Sequence, residues 1–317
     1  MSLRLAKDRR LTSRAAGGPE TWSVEVDGRE LRLTHLDKEL YPGTGFTKGD
    51  MIDYYAAIAP AMLPHLKDRP ITLRRFPGGV DGEGWWEKHS PDHRPRWVKT
   101  ALVESKSRGG EKVRYTTIND LPTLVWVANL AAIELHVSLA RARSRKTPTS
   151  MVFDLDPGAP ADILDCAEIA LLIRDTLEHQ GLESLVKVSG SKGLQLYVPL
   201  NVRTTYDKTG GFAHELAKVF ESQMPDRVVS KMKKSLRGGK VLIDWSQNSR
   251  HKTTVAVYSL RAKDEPFVSC PVEWRLIERA ADRSDPDLLF FTPRQVIDRV
   301  AKKGDLFAPV LELEQKL

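Results

Sequence analysis

From residue 151 the hydrophobic pattern runs strand, helix, strand, strand, helix, strand, and few folds accept that order. The strand MVFDLDPG (151–158) opens it. A helix at about 161–180 follows, stopped by Gly181. Strands at 184–189 and 193–200 come next, joined by a tight Gly-rich turn, then a helix at about 206–224 and the strand KVLIDW at 240–245. This is the β-α-β-β-α-β order of a ferredoxin- or RRM-like sheet. In it the first and last strands are neighbours and the middle two form a hairpin. The expected fold class is α+β.

The first strand carries an unusual load. A period of two puts Met151, Phe153 and Leu155 on one face, and Val152, Asp154 and Asp156 on the other. Two carboxylates about 7 Å apart repel unless something positive lies between them. Asp244 ends the last strand, so adjacency of the two strands brings three acids together. Hard oxygen donors in such a cluster suit Mg²⁺ or Mn²⁺. Taken alone, Asp156-Pro157-Gly158 also reads as a plain turn and Asp244 as a surface acid, because D-x-D is common.

Two further stretches surround the acids. The turn Ser189-Gly190-Ser191-Lys192-Gly193 has amides, hydroxyls and a lysine that suit an anion. It is not a Walker A loop, and by itself it reads better as a polar hairpin tip. The run from Arg227 to Lys240 carries Arg227, Lys231, Lys233, Lys234, Arg237 and Lys240 with no acid among them, and leads directly to Asp244. Bases beside an acid cluster suggest triphosphate binding, with acids on a metal and bases on the phosphates.

The N-terminal half is mixed. WSVEVDGRELRLTH (22–35) reads as a hairpin turning at Asp27-Gly28, and Thr47 with Asp50 as a capping box for a helix to about His65. Lys38 and Lys48 flank the loop YPGTG ahead of that helix, a place for a phosphate. ITLRRF (71–76) is a strand, followed by a Gly-rich loop and WWEKH. Trp85 and Trp86 suit stacking on bases, at ~1–3 kcal/mol each, though a core role fits at least one of them as well. Two segments, 98–105 and 112–118, form another hairpin. Asp120 and Pro122 open an apolar helix read as ending near Leu139, and RARSRKTPTS (141–150) is a basic linker. Strands near 253–260 and helices near 271–281 and 292–302 finish the chain.

Composition narrows the class. The net charge is +7, which favours polyanionic partners. Cys166 and Cys270 lie too far apart in sequence for a CxxC metal pair, so a reducing, cytoplasmic setting is expected. No apolar run reaches the roughly 18 residues of a membrane span, so no membrane partner is expected. The first residues are basic without an apolar signal region.

FDLDPG, SGSKGL-x-LY-x-PL, KSLRGGKVLIDWSQN and KTTVAVYSLR, in this order, resemble the polymerase domain of bacterial DNA ligase D, of the archaeo-eukaryotic primase superfamily. LDKELYPGTGFTKGDMIDYY and RRFPGGVDGEGWWEK match as well. The resemblance covers roughly residues 22–300. It implies a primase-type catalytic core at 141–305 and an N-terminal α/β module at 21–140. A flexible basic arm at 1–20 and a tail at 306–317 flank them. It implies a DNA-templated nucleotidyltransferase for gapped or broken DNA, often preferring ribonucleotides, using Mn²⁺ or Mg²⁺ and recognising a downstream 5′-phosphate.

By the same resemblance Asp154, Asp156 and Asp244 are metal ligands. Ser189, Ser191, Lys192 and His136 meet the incoming nucleotide, with Lys234, Arg237 and Arg261 on its phosphates. Lys38 and Lys48 match the 5′-phosphate pocket, and Trp85 and Trp86 the aromatics against the template. The family usually reads S-G-x-K-G-x-H, and Gln195 stands where that histidine does. Glutamine donates a hydrogen bond but never carries charge, so weaker nucleotide binding or an altered metal preference is expected. With no K-x-D-G ligase motif, the chain is expected to be a stand-alone monomer. A separate ATP-dependent ligase and an end-binding protein are its expected partners, with a nucleoid-associated location. A two-metal nuclease and a catalytically weakened DNA-end-binding module are the competing readings.

Overall fold

The structure, a computed structural model, describes residues 11–13, 21–104 and 109–317, the first three as backbone only. Most of the expected arm at 1–20, and residues 105–108 of the second hairpin, lie outside them. In chain order the first strands are β1 (Leu11–Ser13), β2 (Thr21–Val26), β3 (Arg29–Thr34), β4 (Glu39–Tyr41) and β5 (Phe46–Thr47). Helix α1 (Lys48–Leu66) precedes β6 (Ile71–Arg75), β7 (Trp85–Glu87), β8 (Thr100–Glu104) and β9 (Lys112–Thr116). Next come α2 (Leu121–Asn129), β10 (Ala132–Val137), β11 (Ser150–Pro157), α3 (Ile163–His179), β12 (Leu185–Val188) and β13 (Leu194–Pro199). Then α4 (Tyr206–Gln223), β14 (Val228–Val229), β15 (Val241–Asp244), β16 (Thr254–Val255), β17 (Pro271–Val272), α5 (Trp274–Arg283) and α6 (Pro293–Lys303) complete the chain. Among the described residues no helix is long and apolar enough to cross a membrane.

Two compact units emerge, and both are discontinuous in sequence. The first comprises the chain up to Val137 with Tyr258–Phe267 and Thr292–Gly304; the second comprises Ser138–Val257, Val268–Phe291 and Asp305–Leu317.

In the first unit β10, β6, β9 and β8 lie side by side, and β7 takes the rest of the β6 edge. The β2–β3 hairpin turns at Asp27 and Gly28, both with positive φ. Helix α1 begins with the expected capping box: Thr47 accepts from the Asp50 amide and Asp50 accepts from the Thr47 amide. The apolar helix is shorter than the sequence suggested. It ends at Asn129, and Ala132–Val137 is strand β10 instead. The chain reverses at Ala131, which has positive φ, and β10 is buried on both faces. A strand buried on both faces loses its alternation and looks like buried helix in sequence.

The second unit holds the expected sheet. Its order is β14-β15-β11-β13-β12-β17, so the four inner strands have the first beside the last and the middle pair as a hairpin. All pairings are antiparallel except β14 with β15. Met151, Phe153 and Leu155 are buried at 1% exposure or less. Helix α3 lies across β11, β13 and β15, burying Ile169, Ala170 and Ile173. Each large apolar side chain on the back of β11 contributes roughly 1.5–3 kcal/mol, which fixes the strand that carries the acids. The stretch expected as a separate tail is bonded into this unit: the Gln315 amide donates to the carbonyls of Pro199 and Glu183. The strand read at 253–260 is only Thr254–Val255.

Candidate active site

The carboxylates come together through strand register. Asp154 on β11 lies opposite Asp244 on β15 and opposite Gln195 on β13, and Asp156 follows two residues along the same face. Asp154 is half-buried and Asp156 exposed. The Gln195 Nε2 donates to Asp154 Oδ1 at 3.0 Å. Gln247 Nε2 donates to Asp244 Oδ2 at 3.0 Å and to Asp154 Oδ2 at 3.3 Å, which ties the two acids together. Asp244 also accepts from the Ser246 amide at 2.9 Å, and Lys252 Nζ lies 3.6 Å from its Oδ2.

Charge is unevenly matched across this cluster. Asp156 has Arg237 at 3.4 Å and Asp244 has Lys252, while the hydrogen bonds to Asp154 come from neutral amides. Burial pushes the Asp154 carboxyl up to about 6. The Gln195 hydrogen bond and the Lys187 charge oppose that rise, and the charges of Asp244 and Asp156 add to it. Among the described residues no three His, Cys, Asp or Glu side chains are already gathered as a metal-ligand set. The oxygens are turned toward protein donors instead.

Glycines bring the flanking loops in. A Cβ on Gly193 would sit 1.9 Å from the Leu155 carbonyl oxygen, and one on Gly158 2.0 Å from that of Arg237. Only glycine lets the Ser189–Gly193 turn and the Arg237 segment close on the end of β11. Ser189 Oγ accepts from the amides of Ser191 and Gly193 at 3.2 Å, so it shapes the turn. Lys192 is exposed at its tip and Ser191 half-buried. The basic run proves divided. Arg227 pairs with Glu168, Lys231 lies 3.9 Å from Glu221, and Lys240 donates to the Pro225 carbonyl. Lys233 and Lys234 are exposed, and Arg237 reaches Asp156 and the Met232 carbonyl.

The first unit carries a second constellation around Glu134, which is 1% exposed. His136 Nε2 lies 2.7 Å from one carboxylate oxygen. Arg74 at 3.1 Å, the Ala262 amide at 3.0 Å and Arg261 at 3.4 Å share the other. Burial pushes Glu134 up, but the His136 hydrogen bond and the charge of Arg261 outweigh it and hold the carboxyl at about 2. Trp86 meets the His136 ring edge-on at 4.6 Å, with the Arg74 guanidinium 5.3 Å from the Trp86 centroid. Trp85 and Trp86 remain 43% and 51% exposed, which leaves ring faces open to a planar partner.

The two lysines also meet. The Lys48 amide donates to the Lys38 carbonyl at 2.8 Å. Lys48 is 5% exposed, and its Nζ donates to the Thr34 carbonyl at 2.7 Å. Burial, with Arg75 and Lys38 nearby, pulls its ammonium down to about 8.

Residues 47–307 match the family described as LigD, primase-polymerase domain. The chain belongs to this family. It is 40% identical over 291 residues to the multifunctional non-homologous end joining protein LigD of Mycolicibacterium smegmatis, covering 91% of this chain and 37% of that protein. It is 31% identical over 276 residues to the bifunctional LigD of Bacillus subtilis, covering 87% and 43%. The chain thus spans about two fifths of the curated relatives it matches. Its structure is similar to the polymerase domain of Mycobacterium tuberculosis ligase D in complex with DNA. That match has a TM-score of 0.81 and 39% identity, over 89% of this chain and 98% of that one. As a LigD primase-polymerase domain, the chain is a nucleotidyltransferase of the polymerase kind.

The structure collects the expected residues into two sets. Asp154, Asp156, Asp244, Ser189, Ser191, Lys192, Gln195, Lys234 and Arg237 lie in the second unit; His136, Arg261, Lys38, Lys48, Trp85 and Trp86 lie in the first. Sequence reasoning missed Glu134, Gln247, Lys252 and Arg74. Glu134 lies in β10, whose burial on both faces reads in sequence as apolar helix, so its role was hidden together with the strand. Gln247 stands in WSQN, three residues after Asp244, and its role depends on a register no local pattern carries.

Proposed function

We propose that this chain extends DNA ends or fills short gaps with nucleotides, by attack of a primer 3′-hydroxyl on the α-phosphate of an incoming triphosphate. The observation that carries the proposal is the register of Asp154 with Asp244, with Asp156 beside them. Three hard carboxylates, of which Asp154 is raised to about 6, fit divalent cations, whose charge would relieve that rise. Asp154, Asp156 and Asp244 would hold Mn²⁺ or Mg²⁺. Such ions would activate the hydroxyl and carry the charge that develops on the phosphates and leaving pyrophosphate.

The remaining side chains bind and orient. Lys192, Lys234 and Arg237 line the loops around the acids and meet triphosphate oxygens. Ser189, accepting from the Ser191 and Gly193 amides, holds the turn that carries Lys192. In the first unit His136 and Arg261, fixed by Glu134, meet the nucleotide, Trp85 and Trp86 stack on template bases, and Lys38 with Lys48 receives a downstream 5′-phosphate. Ribonucleotides are the preferred substrate, and end joining, beside a DNA ligase and an end-binding protein, is the setting.

Primer extension on gapped DNA tests this. The substrates carry or lack a 5′-phosphate and are supplied with ribo- or deoxyribonucleotides and either metal. Templated extension, faster with the phosphate and with ribonucleotides, is expected. Primer shortening in its place would identify a nuclease.

A further inference from the structure

The basic loop at 141–147 has no part in the chemistry above. An isolated bridge between Ala140 and Pro148 closes it at the start of β11. Arg141, Arg143 and Lys146 stand exposed on it, and among the described residues none of them forms an ion pair. Arg145 fastens the loop: its guanidinium donates to Ser138 Oγ and to the carbonyl of Arg250. Arg250, also exposed and without an acid partner among the described residues, belongs to the segment that leaves Asp244.

That segment runs along the edge of β11. Beyond Asp244 the strand pairing stops, and Asn248 takes over, accepting from the Val152 amide at 2.9 Å and donating to the Val152 carbonyl at 2.7 Å. A continuous border thus leads from the carboxylates, past Lys252 and Asn248, to Arg250 and the basic loop. From Asp154 back to Ser150 is four residues of extended strand, about 13 Å. One strand of B-form DNA advances about 3.4 Å per phosphate, so that distance corresponds to about four nucleotides.

Four cations on two fastened loops repel one another unless a polyanion lies over them. Beside them the exposed Ser144 and the half-buried Thr147 and Ser249 add hydroxyl donors of the kind that meets phosphate oxygens. None of the large exposed apolar side chains lies in these two loops, so nothing there anchors a protein partner.

We propose that Arg141, Arg143, Lys146 and Arg250 form a phosphate-backbone track for the duplex that delivers the 3′-hydroxyl, meeting it about four nucleotides back from the carboxylates. The proposal rests on the polymerase reading and deepens it. The track positions DNA without reading its sequence.

The test is DNA binding without metal or nucleotide, by anisotropy of a labelled primer-template at several salt concentrations. One DNA has a 12-base-pair upstream duplex and the other only 3. A triple variant, Arg141→Glu, Arg143→Glu and Lys146→Glu, is compared with Arg250→Glu and with the triple glutamine variant, after thermal unfolding has shown each to be folded. On the long duplex the triple variant should bind at least tenfold more weakly, with the salt slope shallower by about 2–3, near 0.9 per lost contact. On the short duplex the loss should vanish. Unchanged affinity and slope on the long duplex would overturn the proposal, and so would equal losses on both DNAs. Wild-type protein that binds both DNAs yet extends neither would sink the polymerase reading and leave the track standing.

Discussion

The Gln195 amide nitrogen donates to Asp154 Oδ1 at 3.0 Å, while its own carbonyl oxygen is buried with no hydrogen-bond partner among the described residues. The side chain therefore spends its donor on a carboxylate and offers the site no charge. A histidine at this position could carry a proton toward a triphosphate. Gln195→His should lower the nucleotide KM, with kcat/KM rising about tenfold, the scale of one charge-assisted hydrogen bond. Steady-state extension under Mn²⁺ and Mg²⁺ measures this. Identical constants for both proteins under both metals would show that the glutamine is neutral.

Glu134 is 1% exposed, hydrogen-bonded to His136, Arg74 and the Ala262 amide and ion-paired with Arg261, so its work is to hold others. Replacing it by glutamine keeps the shape and removes the charge that orients His136, Arg74 and Arg261. Glu134→Gln should raise the nucleotide KM about tenfold while kcat changes less, which a purely structural loss would not produce. Stability should follow pH in a defined way. The folded carboxyl lies at about 2, below its ordinary 4.5, so its stabilisation is complete above pH 4.5 and fades as pH falls through that window. The gap between wild type and variant in urea unfolding should be about 2–3 kcal/mol at pH 7 and narrow by pH 3.5.

How much of this was legible in sequence depended on how local the cause was. The β-α-β-β-α-β order, the Thr47 cap and the Asp27-Gly28 turn follow from alternation and turn chemistry within a few residues. The pairing of Asp154 with Asp244 followed from that order alone. Strand β10 was not legible, because burial on both faces erased its period. The basic run from Arg227 looked uniform, yet Glu168 on α3 and Glu221 on α4 take two of its cations, and such partners are set by packing. The inclusion of Tyr258–Phe267 and Thr292–Gly304 in the first unit is likewise a tertiary outcome without a local signal.

Lys48 makes the response to a downstream 5′-phosphate depend on pH. Burial holds its ammonium at about 8, so the charge is present below that pH and lost above it. The rate advantage of a 5′-phosphorylated gap over a 5′-hydroxyl gap should shrink between pH 7 and pH 9. Lys48→Ala should remove the advantage at every pH, and Lys48→Arg should make it insensitive to pH. A wild-type advantage that stayed constant to pH 9 would place the phosphate elsewhere.

The carboxylates give the sharpest division between binding and chemistry. Asp154 and Asp156 share one face of β11 and repel Asp244, and the neutral amides of Gln195 and Gln247 offset that only in part. Removing both acids should relieve repulsion, leave the backbone of β11 intact and take away the cation ligands. Asp154→Ala with Asp156→Ala should cut extension by at least ~10³-fold, in line with the several kcal/mol a metal pair contributes, and leave DNA affinity within about twofold. In the absence of DNA, Mn²⁺ should raise the thermal midpoint of wild type and leave that of the double variant unmoved, because a ligand stabilises only the state that binds it. Extension that survived the double substitution would mean that the chemistry is not at β11. Equal Mn²⁺ stabilisation of both proteins would mean that the ion is held by other residues.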